Sequence, residues 1–124
     1  MLGRTAALAV ALLFCPTPSY AQQELTGTYE GRWTNTTRGA DFPNFGTLKI
    51  TRAEEGKLIG TFTIHRHFCS GDYSIEGRYA DNKLEMQTGD HRFAGCGNKP
   101  LIVVVQGNKL VGTIGAVDIE FSKR

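Results

Sequence analysis

No charge of one sign dominates this chain: fourteen Lys and Arg stand against twelve Asp and Glu, a formal net charge of +2. A dedicated nucleic-acid binder needs a basic footprint that this balance does not supply. Proline is scarce, four residues in 124, while fifteen glycines, seven phenylalanines and four tyrosines are present. That excludes a disordered, proline-rich chain and leaves a folded, turn-rich one. No window shows a convincing helical period, whereas alternation of period two recurs throughout. The length admits one domain and not two ordinary ones.

Long hydrophobic runs are also missing, apart from the ten residues Ala6 to Cys15. A bilayer-spanning helix needs about 20. Arg4 precedes this run, and Ser19-Tyr20-Ala21 follows it with small residues at the minus-three and minus-one positions. This is the three-part layout of a cleaved secretory signal. Phe14 stands where lipid attachment at Cys15 would require a small residue. Residues 1–21 are therefore expected to be removed, leaving 22–124 as a single secreted or periplasmic domain without a transmembrane segment. Cys15 leaves with the signal, and Cys69 and Cys96 remain in a compartment that permits oxidation. A disulfide between them would stabilise the fold by roughly 3.5 kcal/mol on the chain-entropy model. The alternative is two independent buried thiols.

Eight strands are expected from the alternation. Tyr29, Gly31 and Trp33 share one face of the first, and Leu48 and Ile50 one face of the second. Leu58, Gly60, Phe62 and Ile64 face inward on the third, and Tyr73, Ile75, Gly77 and Tyr79 on the fourth. Leu84 and Met86 mark the fifth. Leu101 to Val105 is apolar on both faces, which predicts a sixth strand covered on both sides or packed in an interface, so an oligomer is left open. Leu110, Gly112 and Ile114, then Val117, Ile119 and Phe121, complete the set.

A short repeat supports the count. Gly56-Lys57-Leu58, Asn82-Lys83-Leu84 and Asn108-Lys109-Leu110 recur at a spacing of 26 residues, each with a turn residue before an apolar strand start. Strands in this order predict an all-β, antiparallel up-and-down barrel, whose closure removes exposed edges. A β-sandwich is the alternative. The inward glycines favour the barrel, because curvature and close backbone approach need residues without side chains. Bulky Tyr29, Phe62, Tyr73, Tyr79 and Phe121 argue for a filled interior, and the same glycines argue for space.

Up-and-down order sends the three repeat turns to one end and the longer connections, 35–46, 67–72 and 89–100, to the other. Function is expected at that loop-bearing rim. Its candidate ligand-binding residues are Phe42, Phe45, Arg66, His67, Phe68, His91, Arg92 and Phe93, a mixture of rings and cations suited to a small amphipathic or anionic ligand. The other reading is a secreted inhibitor or protein-interaction module with a filled barrel. The expected partner is thus a small molecule or an extracytoplasmic protein.

Catalytic signatures are missing. No serine occupies a strand-to-helix elbow, no glycine-rich segment opens a helix to cradle phosphate, and the carboxylates Glu76, Glu85, Asp118 and Glu120 fall on polar strand faces. A non-enzymatic protein without a cofactor is expected. His65 and His67 share a strand face that His91 could approach, but that face is opposite Phe62 and Ile64, so no metal site is assigned. Asn35-Thr36-Thr37 matches the N-glycosylation pattern.

Leu25-Thr26-Gly27, Gly31-Arg32-Trp33-Thr34-Asn35 and Gly60-Thr61-Phe62-Thr63 resemble the opening strands of avidin-like barrels. The Gly31-Arg32-Trp33 triplet with the basic end Lys123-Arg124 is similar to the wider lipocalin and avidin superfamily, where a first-strand tryptophan packs under a late basic side chain. The resemblance implies an eight-stranded barrel. It does not carry biotin binding across: Asn35 matches the family's asparagine ligand, but Ala40 and Phe62 stand where it places hydroxyls, and Trp33 is the only tryptophan.

Overall fold

The computed structural model describes residues 25–37, 40–65, 69–93 and 95–124, with backbone alone at 35–37 and 40–42. Eight strands form one closed antiparallel barrel in sequence order. They are β1 (Gly27–Thr37), β2 (Ala40–Glu54), β3 (Lys57–His65), β4 (Gly71–Ala80), β5 (Lys83–Thr88), β6 (Pro100–Gln106), β7 (Lys109–Ile114) and β8 (Val117–Lys123). Closure is made by β1 against β8, where Gly31 lies opposite Phe121. The proposed cleavage site and everything before it lie outside the described residues.

The expected inward faces form the core. Leu48, Phe62, Leu84, Leu101, Val103 and Phe121 are fully buried, and Tyr29, Trp33, Ile50, Tyr73 and Ile75 nearly so. Trp33 packs against Phe62 with ring centroids 5.8 Å apart, and Phe62 meets Phe121 edge-on at 5.9 Å. The barrel centre is therefore filled, and the glycines do not leave space there. A Cβ on Gly31 would stand 2.4 Å from the Phe121 ring, and one on Gly112 would stand 1.9 Å from the Ile102 carbonyl oxygen. Glycine at 31 admits a ring, and glycine at 112 admits the backbone of the next strand.

The turns follow the repeat. Glu55 and Gly56, and likewise Asp81 and Asn82, both take positive φ, the signature of the tight hairpin turn that matches strand twist. Turns 55–56, 81–82 and 107–108 lie at one end with the C-terminus. The other end carries, among the described residues, 69–70, 89–93, 95–99 and 115–116.

One expectation is corrected. Residues 35–46 are not a loop: the β1–β2 ladder continues from Trp33↔Asn44 to Thr37↔Ala40. Among the described residues, β8 pairing reaches Trp33 and β3 pairing reaches Phe45, and the β1–β2 ladder continues past both. Within this ladder Pro43 lies opposite Thr34 of β1. Among the described residues nothing covers the outer face of β6, where Ile102 and Val104 are exposed, which is compatible with the interface alternative.

Candidate functional site

At the loop end, Cys69 and Cys96 are bonded, with an S–S distance of 2.06 Å, joining the β3–β4 and β5–β6 connections. The 89–99 loop is closed at its base: the Thr88 amide donates to the Lys99 carbonyl at 2.9 Å, and the Lys99 amide returns a bond to the Thr88 hydroxyl at 2.8 Å. Inside it, the Asn98 side-chain amide donates to Asp90 at 2.6 Å.

The His91 ring stacks on Tyr73 with centroids 5.0 Å apart. Its Nδ1 accepts the Phe93 amide proton at 3.1 Å, so Nε2 carries the ring proton and donates to the Ser70 carbonyl, also at 3.1 Å. Arg92 lies 5.0 Å from the centroid of the exposed Phe93 ring. His91, Arg92 and Phe93 therefore stand together at the loop end. Phe45 instead lies on the exposed outer face of β2, opposite Arg32 and His65. Phe42 belongs to the projecting hairpin, with its side chain outside the description, and Arg66, His67 and Phe68 lie outside the described residues.

Tyr73 donates its hydroxyl proton to the Cys69 carbonyl, and burial pushes its phenol above the ordinary value near 10. The folded protein therefore holds this proton to higher pH than the unfolded chain does. The associated stability is present in full below about pH 10 and is lost as pH rises through the folded-state value. Titration of tyrosinate absorbance should show one late-ionising tyrosine that Tyr73→Phe removes; tyrosines that all titrate together would contradict this.

His65 is outward and exposed, as expected. Its Nε2 lies 2.9 Å from the Thr47 hydroxyl, which bonds Glu30 at 3.2 Å, and Glu30 pairs with Arg124 at 2.6 Å. Glu120 is likewise outward, its carboxyl held below the ordinary range by a hydrogen bond and charge from Lys109, with Arg32 adding to it. Among the described residues, no three His, Cys, Asp or Glu side chains gather as a metal site.

The opposite end holds a feature that the rim reading missed. A cavity of about 580 Å³ opens among the hairpin turns, walled by Tyr29, Tyr79, Leu84, Val105, Leu110 and Lys123, with Leu25 at its edge. Its lining is mostly apolar. Among the described residues the buried Tyr79 hydroxyl has no hydrogen-bond partner, whereas Tyr29 donates to the Leu25 carbonyl at 2.8 Å. Lys123 lies over the Tyr29 ring, its Nζ 5.7 Å from the centroid. The register sets Lys123 opposite Tyr29, and Trp33 opposite Ile119. Tyr29, not Trp33, thus lies under the late basic side chain. A signal for this end was present in the sequence: Val117, Ile119 and Phe121 are followed on the same face by a lysine.

Compared with family models, curated proteins and solved structures, the chain matches none.

Proposed function

We propose that this is an exported, non-enzymatic binding protein, secreted or periplasmic, that holds a small and largely apolar molecule in the cavity at its turn end. The observation that carries the reading is the cavity of about 580 Å³ in a barrel whose centre is otherwise packed with rings. Its volume lies within the roughly 300–1,000 Å³ of small-molecule sites, and apolar walls with a few polar groups are what such sites present. The rigid barrel pre-forms the site, so little ordering cost falls on binding.

Export is supported by the signal-like start and by the Cys69–Cys96 disulfide, which oxidising compartments preserve. Among the described residues no helix is long and apolar enough to cross a membrane. The closed eight-strand topology is compatible with the lipocalin- and avidin-like reading of the opening strands. A second reading, a protein-interaction module acting through the loop rim, is favoured by the exposed Phe93 ring beside Arg92.

Native mass spectrometry of the purified protein should show a copurified small molecule. Val105→Trp places an indole in the cavity wall and should lower occupancy at least about tenfold, equivalent to roughly 1.4 kcal/mol. Unchanged occupancy in this variant would refute the cavity assignment. A ligand-free protein that retains a protein partner, lost on Phe93→Ala with Arg92→Ala, would favour the rim.

A further inference from the structure

We propose that two copies of this chain pair face to face through the outer surface of β5, β6 and β7, related by a two-fold axis that crosses the strands at the level of Val103. Two observations identify the partner. One is an apolar strip that nothing covers among the described residues, and the other is a charge pattern beside it that complements itself when the copies are set antiparallel.

The strip follows from the alternation in β6. Leu101 and Val103 are buried, so Ile102 and Val104 point outward, and both are exposed. The ladder sets Val104 beside Val111 of β7 and Ile102 beside Thr113, and both β7 residues are partly exposed. A contiguous strip of exposed aliphatic side chains marks a contact surface. The barrel is closed, so β6 has a neighbour on each side and no free edge for an added strand. Association at this place therefore has to be sheet on sheet, through side chains.

The flank of the strip says which partner fits. On β5, Lys83 stands opposite Val104 and Glu85 opposite Ile102. The two charges pair at 3.2 Å, with about half of each side chain still exposed. The outer face thus carries two rows: Lys83, Val104 and Val111 toward the turn end, and Glu85, Ile102 and Thr113 toward the loop end. A two-fold axis across the strands, between the rows, exchanges them. Val104 then packs on the partner's Ile102, and Lys83 meets the partner's Glu85 once in each direction. An axis along the strands would instead set β5 over the partner's β7, with no opposite charge across from Lys83 or Glu85. A foreign protein would need opposite charges of its own at this spacing, whereas a second copy has them already.

Strand β8 limits the contact. It carries Glu120 beside Val111 and Asp118 beside Thr113, and the same axis would bring these two carboxylates onto like charges. In a ring of eight strands, however, β8 lies about a quarter-turn round from β6, so its outer face turns away from the partner. The interface is accordingly narrow, and a dimer with a Kd of about 1–100 µM is expected.

Sedimentation velocity of the purified full protein, from about 1 to 300 µM, should show a monomer–dimer equilibrium within that range. Val104→Lys should weaken the dimer at least about tenfold. Lys83→Glu and Glu85→Lys, each alone, set like charges across the axis and should weaken it as well. The double exchange, Lys83→Glu with Glu85→Lys, restores opposite charges across the axis and should recover the dimer to within about threefold of the native Kd. All three positions face outward, and far-ultraviolet circular dichroism separates loss of contact from loss of fold. Recovery in the double exchange is not what nonspecific apolar association would give. A protein that stays monomeric over the whole range, a dimer indifferent to Val104→Lys, or a double exchange as weak as the single variants would each overturn the proposal.

Discussion

Replacing Cys69 and Cys96 with serine is expected to lower the unfolding free energy by roughly 3.5 kcal/mol, the chain-entropy value for a loop of this length. The two cysteines are separated by 27 residues in sequence. The loop they close contains β4 and β5 as well as the stacked His91, so the constraint falls on a whole hairpin and its approach to the rim. A small domain has only about 5–15 kcal/mol of net stability, and the loss is a large share of it. In urea, with a slope of about 1–2 kcal/mol/M for a chain of this size, the midpoint should fall by about 2 M. Reduction of the native protein should give the same shift, which separates loss of the bond from any effect of serine. The turn-end cavity lies at the other end of the barrel, so ligand affinity in the folded variant should remain near that of the native protein. A midpoint shift under 0.5 M, on a slope of about 1–2 kcal/mol/M, would mean that the unfolded chain gains little from release of the loop.

The fold was legible because one face of each strand carries a chemical contrast. Leu48 and Ile50 alternate with Thr47, Lys49 and Thr51, and only one register puts the first pair inside. The Lys-Leu starts at 57, 83 and 109 marked the three hairpin turns, where Glu55, Gly56, Asp81, Asn82 and Gly107 take positive φ. Closure followed from order, since consecutive antiparallel neighbours leave β1 and β8 as the only edges to join.

What escaped was depth along the barrel axis. Parity says that Tyr29, Phe62, Tyr79 and Phe121 point inward, but not which rings meet. Phe62 and Phe121 fill the centre with Trp33. Tyr79 lies near the turn end, where its neighbours across the pairing are Leu84 and the backbone of Gly56. Loop length therefore gave no sign of the cavity at the turn end. The long 89–99 loop spends its polar groups on itself, through Thr88, Lys99, Asp90 and Asn98. The 35–46 segment was misread for a related reason: a proline and two glycines resemble a loop, whereas the β1–β2 ladder runs through them to Thr37↔Ala40.

Phe62→Ala should be the most damaging single side-chain truncation in the barrel, at about 3–5 kcal/mol. Phe62 is fully buried, and its ring contacts both Trp33 and Phe121. Its place is prepared by Gly46, where a Cβ would stand 2.8 Å from Phe62 Cε1. Truncation removes the ring from between two other rings, while the closed hydrogen-bond ladder keeps the strands from moving inward to fill the gap. The cost should therefore lie toward the upper part of that range, and Phe62→Leu, which keeps most of the volume, should cost clearly less. Trp33 is the only tryptophan and borders the vacated volume, so its fluorescence reports directly on the packing. In folded Phe62→Ala the emission should change in wavelength or intensity before any urea is added, and the urea midpoint should fall by about 2 M or more. A loss below roughly 1.5 kcal/mol with unchanged emission would mean that the barrel collapses around the gap, and the rigid, pre-formed wall on which the turn-end cavity depends would then lose its basis.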